Sequence, residues 1–153
     1  MVITICVERA DAPGVLELLH ASDEFHTALY PPEDNFLLDV AALLVPSVTV
    51  VVARDAATAV AMGALVDHGD STAELKRMFT VPAARGKGIA GRVLDALEQV
   101  ARTKGITLVQ LETGPLQPAA VAFYESRGYS ATGAFGEYLE ATNSLFFAKS
   151  LLS

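Results

Sequence analysis

A glycine-rich junction, Arg85-Gly86-Lys87-Gly88, separates two segments of different periodicity. Before it, residues 74–81 predict a strand that ends at Pro82, because proline cannot donate to a β ladder. After it, apolar residues at helical spacing predict an amphipathic helix: Ile89, Val93, Leu94, Leu97, Val100 and Ala101. Glycines at such a turn let backbone amides approach an anion, and the helix N-terminus adds about half a positive charge. The junction therefore predicts a phosphate-binding loop.

Two common phosphate-binding motifs fit this junction poorly. The mononucleotide loop needs a glycine five residues before the Gly-Lys pair and Ser or Thr after it, but Val81 and Gly88 occupy those positions. The dinucleotide motif does match Gly86, Gly88 and Gly91, and Glu112 follows at a suitable distance. That motif, however, requires a tight turn from the strand to the first glycine, whereas the four residues 82–85 intervene here. A second nucleotide-binding half also hardly fits in 153 residues.

The rest of the chain predicts further strands around this junction. Segments 48–53, 60–66 and 74–81 are separated by short turns, which predicts an antiparallel meander. The strand–helix–strand unit that ends at 106–111 predicts one parallel pair with a right-handed crossover. Further elements are predicted as strands at 2–7, 129–132 and 144–150 and a helix at 118–127.

Helices are predicted in the first third of the chain. Asp11 is the expected N-cap of a helix with Pro13 in its first turn, and a second short helix is expected near Ser22. Prolines predict a loop at 30–35. A further helix is predicted before Pro46 from the spacing of Phe36, Leu37, Val40, Leu43 and Leu44.

The loop also matches the spacing Arg-x-x-Gly-x-Gly/Ala, with Arg85, Gly88 and Ala90. Two further segments follow it in order, Leu111-Glu112-Thr113-Gly114 and Ala122-Phe123-Tyr124-Glu125-Ser126-Arg127-Gly128-Tyr129. In this ordered combination the chain resembles the GNAT superfamily of acetyl-coenzyme A-dependent N-acetyltransferases over nearly its whole length. The resemblance implies an α+β fold, with a central, mixed and mostly antiparallel twisted sheet flanked by helices, in a single domain over residues 1–153.

The resemblance also implies where acetyl-coenzyme A (acetyl-CoA) binds. Its pyrophosphate would lie on amides of the loop and helix start, and its pantetheine arm would pair with the backbone of the central strand. One of those strand amides would polarise the thioester carbonyl. Many relatives have an asparagine after the fifth strand that contacts the pantetheine, and Gln117 offers the same groups here. The implied cofactor-binding residues are Met78, Phe79, Val81, Arg85, Gly86, Lys87, Gly88, Ile89, Ala90, Gln117 and Tyr124, with Gly91 as an additional candidate.

Acetyl transfer needs an unprotonated amine and a proton for the departing thiolate. The position of Tyr124 in the family motif implies that it is the acid; the alternative is a core tyrosine of an amphipathic helix. Glu74, at the start of the central strand, is the candidate base, acting through water, with Glu112 as the alternative. A solvated strand carboxylate is a third interpretation. Cys6 is far in sequence from the loop, so we expect direct attack by the amine in a ternary complex rather than a covalent enzyme intermediate.

Several other interpretations stay open at this point. A non-catalytic acyl-CoA-binding or regulatory module could use the same fold. The histidines His20, His26 and His68 have no spacing typical of a metal site, so no metal is predicted. The aromatic and acidic loop at 135–138 is either a contact for a cationic amine or an ordinary strand connection.

Charge indicates which partners to expect. The formal charge is −7, which argues against nucleic acid. Seven cations nevertheless lie within 76–104, opposed there only by Asp95 and Glu98. We expect the five between Lys76 and Arg92 to serve the phosphates of coenzyme A and the acidic remainder to meet an amine of a small molecule or peptide.

The remaining expectations concern location and assembly. The single Cys6 fits a reducing compartment, and the sequence shows neither a signal peptide nor a membrane-length apolar run. These features predict a soluble, cytoplasmic protein with no membrane partner. Because members of the resembled family are often dimers, the final strand is a candidate for a homodimer contact.

Overall fold

A computed structural model describes residues 2–34 and 38–152. Within them, the strands form one sheet in the order β1-β2-β3-β4-β5-β7-β6, and each pair of neighbours is antiparallel except β4 and β5. The mixed, mostly antiparallel sheet and the parallel pair are thereby confirmed. The strands are β1 (Ile3–Val7), β2 (Val48–Asp55), β3 (Thr58–Asp67), β4 (Thr72–Thr80), β5 (Leu108–Thr113), β6 (Ser130–Ala131) and β7 (Leu145–Ser150).

Helices cover both faces of this sheet. They are α1 (Val15–Leu29), α2 (Val40–Leu43), α3 (Ile89–Thr103) and α4 (Pro118–Ser126), with 3₁₀ turns at Pro32–Asp34, Pro82–Ala84 and Gly136–Tyr138. One buried apolar cluster joins the sheet to α3 and α4, and a second joins its other face to α1 and α2. The sheet therefore lies between two helical layers, which accounts for the long apolar runs of β2 and β3.

The first helix differs from its prediction. It begins at Val15 after Gly14, whose φ of 82° is left-handed, and it runs without a break to Leu29. Asp11 does not cap it but pairs with Arg9, at 2.9 Å between Oδ1 and Nε. Ser22, expected near the start of a second helix, is buried inside the same helix. The expected N-cap was wrong because the backbone turns at Gly14 before helical geometry begins.

The segment before Pro46 contains a shorter helix than its spacing predicts. α2 is one turn long, and Asp39 caps it by accepting a hydrogen bond from the Ala42 amide at 2.8 Å. Phe36 and Leu37, which helped to predict the helix, lie outside the described residues, as does Asn35 of the predicted loop.

Strand β4 carries a bulge opposite β3. Met62 pairs with Phe79 and Ala64 with Lys76, so Gly63 faces two residues, Arg77 and Met78. Arg77 has a left-handed φ of 59°. It contacts α1, although strict alternation would place it on the α3 side of the sheet with Leu75. A Cβ on Gly63 would lie 2.3 Å from Met78 Sδ, so the glycine lets the two strands pass this closely.

The pairing of β4 with β5 stops before either strand ends. It runs from Thr72 with Leu108 to Leu75 with Leu111. Beyond that point β4 continues to Thr80 and β5 to Thr113 without pairing to each other. The two strands therefore separate in the middle of the sheet and leave a gap with backbone groups on both sides.

Candidate active site

A cavity of about 560 Å³ lies at the end of β4, where the starts of α3 and α4 meet it. Its walls come from the last residues of β4, the glycine-rich loop, the first turn of α3 and residues 116–120 at the start of α4. Phe25 and His26 of α1 complete it. The predicted phosphate-binding loop thus forms one wall of this cavity.

The loop has the geometry that an anion needs. Gly86 and Gly88 have φ values of 78° and 77°, a conformation that favours glycine, and a Cβ on either would meet no atom within 4 Å. Gly88 precedes the first residue of α3, so the first amides of that helix have no helical carbonyl as partner. No acidic side chain occupies the first turn of α3. The residues present therefore fit a pyrophosphate group.

The structure places most of the predicted cofactor-binding residues around this cavity. It is lined by Met78, Phe79, Arg85, Gly86, Gly88, Ile89, Ala90, Gln117 and Tyr124, and also by the additional candidate Gly91. Val81 and Lys87 are not among its lining residues. The Val81 backbone is used within the fold, since its N–H donates to Val60 O at 3.0 Å and its carbonyl accepts from Ala84 N at 2.9 Å. Lys87 is exposed on the loop.

Arg85 is the cation that lines this cavity. Its Nε donates to the carbonyl of Thr80 at 2.9 Å, which turns the side chain back over the end of β4. The guanidinium lies 5.5 Å from the ring centre of Phe25 and 5.7 Å from that of Phe79. Two aromatic faces therefore hold this positive charge at the cavity wall.

Three of the other cations between Lys76 and Arg92 have partners away from this loop, which corrects the expectation that all five serve the phosphates. Arg92 reaches the carbonyl of Ile3 at 3.4 Å. Lys76 and Arg77 are buried and line a second, smaller cavity. The positive charge of the segment is thus divided between two sites.

This smaller cavity, of about 90 Å³, occupies the gap where β4 and β5 separate. Leu75, Lys76 and Met78 of β4 form one wall, and Leu111 and Glu112 of β5 the other. Five residues line both cavities: His26, Met78, Gln117, Ala120 and Tyr124. The two cavities therefore adjoin, with Tyr124 at their junction.

The Tyr124 side chain is held by packing. Its ring makes edge contacts with Phe123 and Tyr129, at centroid distances of 5.2 and 5.8 Å. Burial raises the pKa of its hydroxyl, and no hydrogen bond of this hydroxyl is found within residues 2–34 and 38–152. Tyr124 thus presents a protonated hydroxyl where the two cavities meet.

Glu74 and Glu112, the two predicted bases, lie in different surroundings. Glu74 lines neither cavity. Its Oε2 accepts a 2.5 Å hydrogen bond from Tyr138 and lies 3.3 Å from Lys76 Nζ, while His68 Nε2 is 3.6 Å from Oε1. This buried network raises the pKa of Tyr138, first through burial and then through Glu74. Glu74 therefore acts as the counter-ion of this network.

Glu112 does line the smaller cavity. Its Oε2 accepts a hydrogen bond from the Ser144 hydroxyl at 2.7 Å. Burial raises the pKa of the Glu112 carboxyl, and the Ser144 hydrogen bond opposes this shift in part. Of the two carboxylates, Glu112 is the one placed to meet a ligand in the gap.

No sequence pattern indicated the part that Tyr30 plays. At the end of α1, its hydroxyl oxygen accepts hydrogen bonds from the Leu116 amide and from Gln117 Nε2, both at 3.2 Å. Gly114 makes this contact possible, because a Cβ there would lie 2.0 Å from the hydroxyl oxygen. Tyr30 therefore bridges α1 and the segment after β5 and positions Gln117 between the cavities.

His26 also lines both cavities, although its sequence context suggested no role. Its Nδ1 lies 2.8 Å from the carbonyl oxygen of Ser22, so Nδ1 carries the hydrogen and Nε2 is left as an acceptor. Burial lowers the pKa of the ring, with a smaller contribution from Arg77. Its ring stacks on Tyr30 at 6.5 Å between centroids.

Three other groups lie outside the two cavities. Cys6 is exposed in the edge strand β1. The loop at 135–138 packs inward, since Tyr138 is buried and the Phe135 ring contacts those of Tyr138 and Phe146; this favours the strand-connection interpretation. In the described part of the chain, no group of three His, Cys, Asp or Glu side chains is suited to a metal ion. Nor does any described helix have the length and apolar character to cross a membrane.

Comparisons with known proteins agree with this geometry. The Acetyltransferase (GNAT) family model matches residues 15–129. The chain is 38% identical over 150 residues to a protein of Azospirillum brasilense named IAA acetyltransferase, covering 97% of this chain and 98% of the relative. It is also similar to a Klebsiella pneumoniae structure described as an acyl-CoA N-acyltransferase, with a TM-score of 0.83, 29% identity and 98% of each chain covered.

A structure of lower identity has the same fold. The PaiA N-acetyltransferase of Thermoplasma acidophilum, solved in complex with coenzyme A, superposes with a TM-score of 0.75 at 17% identity, covering 98% of this chain and 99% of that one. The family match spans the glycine-rich loop, α3 and the Tyr124 helix. The chain therefore belongs to the GNAT family and is an N-acetyltransferase that uses acetyl-CoA as its cosubstrate.

Proposed function

We propose that this chain transfers the acetyl group of acetyl-CoA directly to a primary amine while both substrates are bound. The observation that carries the proposal is the pair of adjoining cavities with Tyr124 at their junction. The larger one has the phosphate-binding loop, and the smaller one has a carboxylate, Glu112. A thioester carbon at the junction would be within reach of a nitrogen in the smaller cavity.

The cofactor site consists of the loop amides and the end of β4. The first amides of α3 and the loop amides from Arg85 to Ala90 bind the pyrophosphate. Met78 and Phe79 lie on the stretch of β4 that no longer pairs with β5, so this edge offers backbone groups to the pantetheine arm. Gln117 offers its amide from the opposite wall. Val81 is not part of this site, because its backbone groups are already paired.

Tyr124 supplies the proton for the leaving group. Its hydroxyl remains protonated at neutral pH because burial raises its pKa. When the amine nitrogen bonds to the acetyl carbon and the carbon–sulfur bond breaks, the sulfur leaves as a thiolate, and the Tyr124 O–H protonates it. A buried, fixed donor suits this role because it needs no rearrangement during the reaction.

Glu112 is the base in this proposal, in preference to Glu74. An ammonium group must lose one proton before it attacks and a second as the amide forms. Of these two protons, one replaces the proton given up by Tyr124 and the other goes to solvent. The raised pKa of Glu112 brings it closer to neutral pH and makes it a stronger proton acceptor than an exposed carboxylate. Glu74 is occupied by Tyr138 and Lys76.

Two further parts of the proposal concern mechanism and organisation. The exposed Cys6 lines neither cavity, which supports direct attack without an acetyl-cysteine intermediate. The described residues share one continuous sheet, which supports a single acetyltransferase domain. The net charge of −7 supports a small or peptide amine as acceptor instead of nucleic acid.

The test is a panel of primary amines incubated with acetyl-CoA, with free thiol followed over time and N-acetylated products identified by mass spectrometry. We expect thiol release that depends on amine and yields one N-acetyl product per thiol. Binding of acetyl-CoA in calorimetry with no turnover of any amine would instead favour a non-catalytic acyl-CoA-binding module. A burst of acetylated protein before amine addition would contradict direct attack.

A further inference from the structure

The charged groups that line the smaller cavity are divided between its two walls. Lys76 and Arg77 are on β4, whereas Glu112 is on β5 and Asp34 is in the turn after α1. Lys76 pairs with Glu74 and Arg77 pairs with Asp23, at 3.3 and 2.6 Å. Neither of these two partner carboxylates is among the residues that line the cavity. The lining cations thus belong to β4 and the lining carboxylates to β5 and the turn after α1, and each cation is already paired with a carboxylate outside the lining.

Tyr30 contributes a hydrogen-bond donor of fixed direction. A hydroxyl oxygen has two lone pairs and one proton, and Leu116 N and Gln117 Nε2 occupy both lone pairs. The Tyr30 O–H is therefore left to donate, and within the described residues it has no protein acceptor. Tyr30 lines the smaller cavity and not the larger one. The phenol consequently offers its proton on the side where the acceptor binds.

His26 and Glu112 offer the opposite kind of group. The hydrogen bond from Nδ1 to Ser22 leaves His26 Nε2 as an acceptor, and the ring lines both cavities. Glu112 Oε2 is used by Ser144, which leaves the second carboxylate oxygen available to a ligand. Two acceptors on the lining of the smaller cavity suit an ammonium group, which carries only donors.

The size of the smaller cavity limits what can enter it. Its volume of about 90 Å³ is below the roughly 150 Å³ of an apolar cavity that admits a benzene ring. The reacting end of the acceptor must therefore be short and non-aromatic.

We infer that the acceptor is a small zwitterionic amine, an α-amino acid or a close analogue. Its ammonium group lies against Glu112 and His26, and its carboxylate accepts the Tyr30 O–H and faces the wall formed by Lys76 and Arg77. The inference rests on the proposed function, because the same nitrogen receives the acetyl group. It adds that the carboxylate next to that nitrogen is recognised, which acetyl transfer alone does not require.

The experiment compares each amino acid with the amine that lacks its carboxylate: glycine with methylamine, and L-alanine with ethylamine. Rates of thiol release are compared at equal concentrations of the unprotonated amine, so that the different ionised fractions of the amines do not enter. We expect kcat/KM to be at least about tenfold higher for the amino acid of each pair, since a hydrogen bond to a charged group contributes about this much. Glycinamide, which keeps an acceptor oxygen without the charge, should lie between.

Variants then assign the preference to a residue. Tyr30→Phe keeps the ring and removes the donor, so the glycine-to-methylamine ratio should fall about tenfold. The matched control is Tyr129→Phe, which removes a buried hydroxyl that donates to Glu98 and lines neither cavity. This variant should leave the glycine-to-methylamine ratio unchanged. If Tyr30→Phe does not fold, inhibition of the wild-type protein by N-acetylglycine and by N-methylacetamide replaces it, and we expect the former to inhibit at least about tenfold more strongly.

The outcomes separate this inference from the proposed function. Equal rates within each pair, or faster acetylation of the amines without a carboxylate, would overturn the zwitterionic acceptor and leave the acetyltransferase proposal standing. If a Tyr30→Phe protein binds acetyl-CoA and keeps the full preference for glycine, Tyr30 does not recognise the carboxylate. Absence of turnover with every amine tested would count against both.

Discussion

Replacing Gly114 by alanine should disrupt the site through Tyr30. An added Cβ would lie 2.0 Å from the Tyr30 hydroxyl oxygen, 2.1 Å from Cζ and 2.5 Å from Cε1. These distances are far below van der Waals contact, and the ring is rigid, so Tyr30 must leave its place. Its hydrogen bonds to Leu116 N and Gln117 Nε2 would then be lost.

The size of the effect follows from these contacts. Inserting a methyl group into a well-packed site costs about 1–3 kcal/mol. Two neutral hydrogen bonds contribute about 1 kcal/mol each. We therefore expect the free energy of unfolding to fall by roughly 3 kcal/mol or more, which for a chain of this size lowers Tm by at least about 6 °C.

The assay is urea and thermal unfolding of four variants against the wild type: Gly114→Ala, Gly133→Ala, Tyr30→Ala and the double variant Tyr30→Ala/Gly114→Ala. Gly133→Ala is the matched control, because a Cβ there meets no atom within 4 Å, and its effect should stay within about 0.5 kcal/mol. In a Tyr30→Ala background, Gly114→Ala should cost no more than about 0.5 kcal/mol, since its clash partner has gone. An equal cost of Gly114→Ala in that background and in the wild type would show that the glycine does not accommodate Tyr30.

Three further predictions concern the two substrates. Arg85→Ala should raise the Kd for acetyl-CoA about tenfold or more, and Lys87→Ala by less than about fivefold, because Arg85 lines the cavity and Lys87 is exposed. Calorimetry that shows the larger effect for Lys87→Ala would refute the placement of Arg85 at the phosphates. Tyr124→Phe should lower kcat about 10²–10⁴-fold with little change in acetyl-CoA binding, and an unchanged kcat across pH would remove Tyr124 as the acid. Because burial raises the pKa of Glu112, its charged form is penalised in the fold. The free energy of unfolding of wild type relative to Glu112→Gln should therefore fall as pH rises through that raised pKa, while the acetylation rate of wild type rises over the same range. A stability difference that does not change with pH would contradict the raised pKa and its use by the base.

The elements of the sheet could be predicted because their signals are local. Apolar β runs and short turns indicated β2, β3 and β4, and the amphipathic spacing indicated α3. The bulge in β4 has no such signal. Arg77 is not a residue that favours a left-handed backbone, and it is held there by its ion pair with Asp23, which is 54 positions away. Such tertiary contacts override local preference.

The candidate site shows the same division between local and distant causes. The glycine loop was predicted from the residues themselves, since phosphate binding uses consecutive amides. The hydrogen bonding of the Val81 backbone could not be predicted in this way, because the neighbouring strand β3 accepts its N–H. The choice between Glu74 and Glu112 also depended on register: Glu112 follows Leu111, the last residue of β5 that pairs with β4, and so reaches the gap. Tyr30 depends on contacts with residues 86 and 87 positions away.

The early end of strand pairing also determines how the two halves of the sheet are connected. At one end of the gap, β4 and β5 are joined by four consecutive register pairs of main chain. Towards the other end, Tyr30 links α1, which packs on β3 and β4, to the segment that follows β5. The gap is thus closed by peptide groups on one side, and among the described residues the Tyr30 phenol bridges it on the other. The separation between the β4 wall and the β5 wall is consequently set in part by one side chain. It can therefore change by substitution at one position while the sheet itself stays the same.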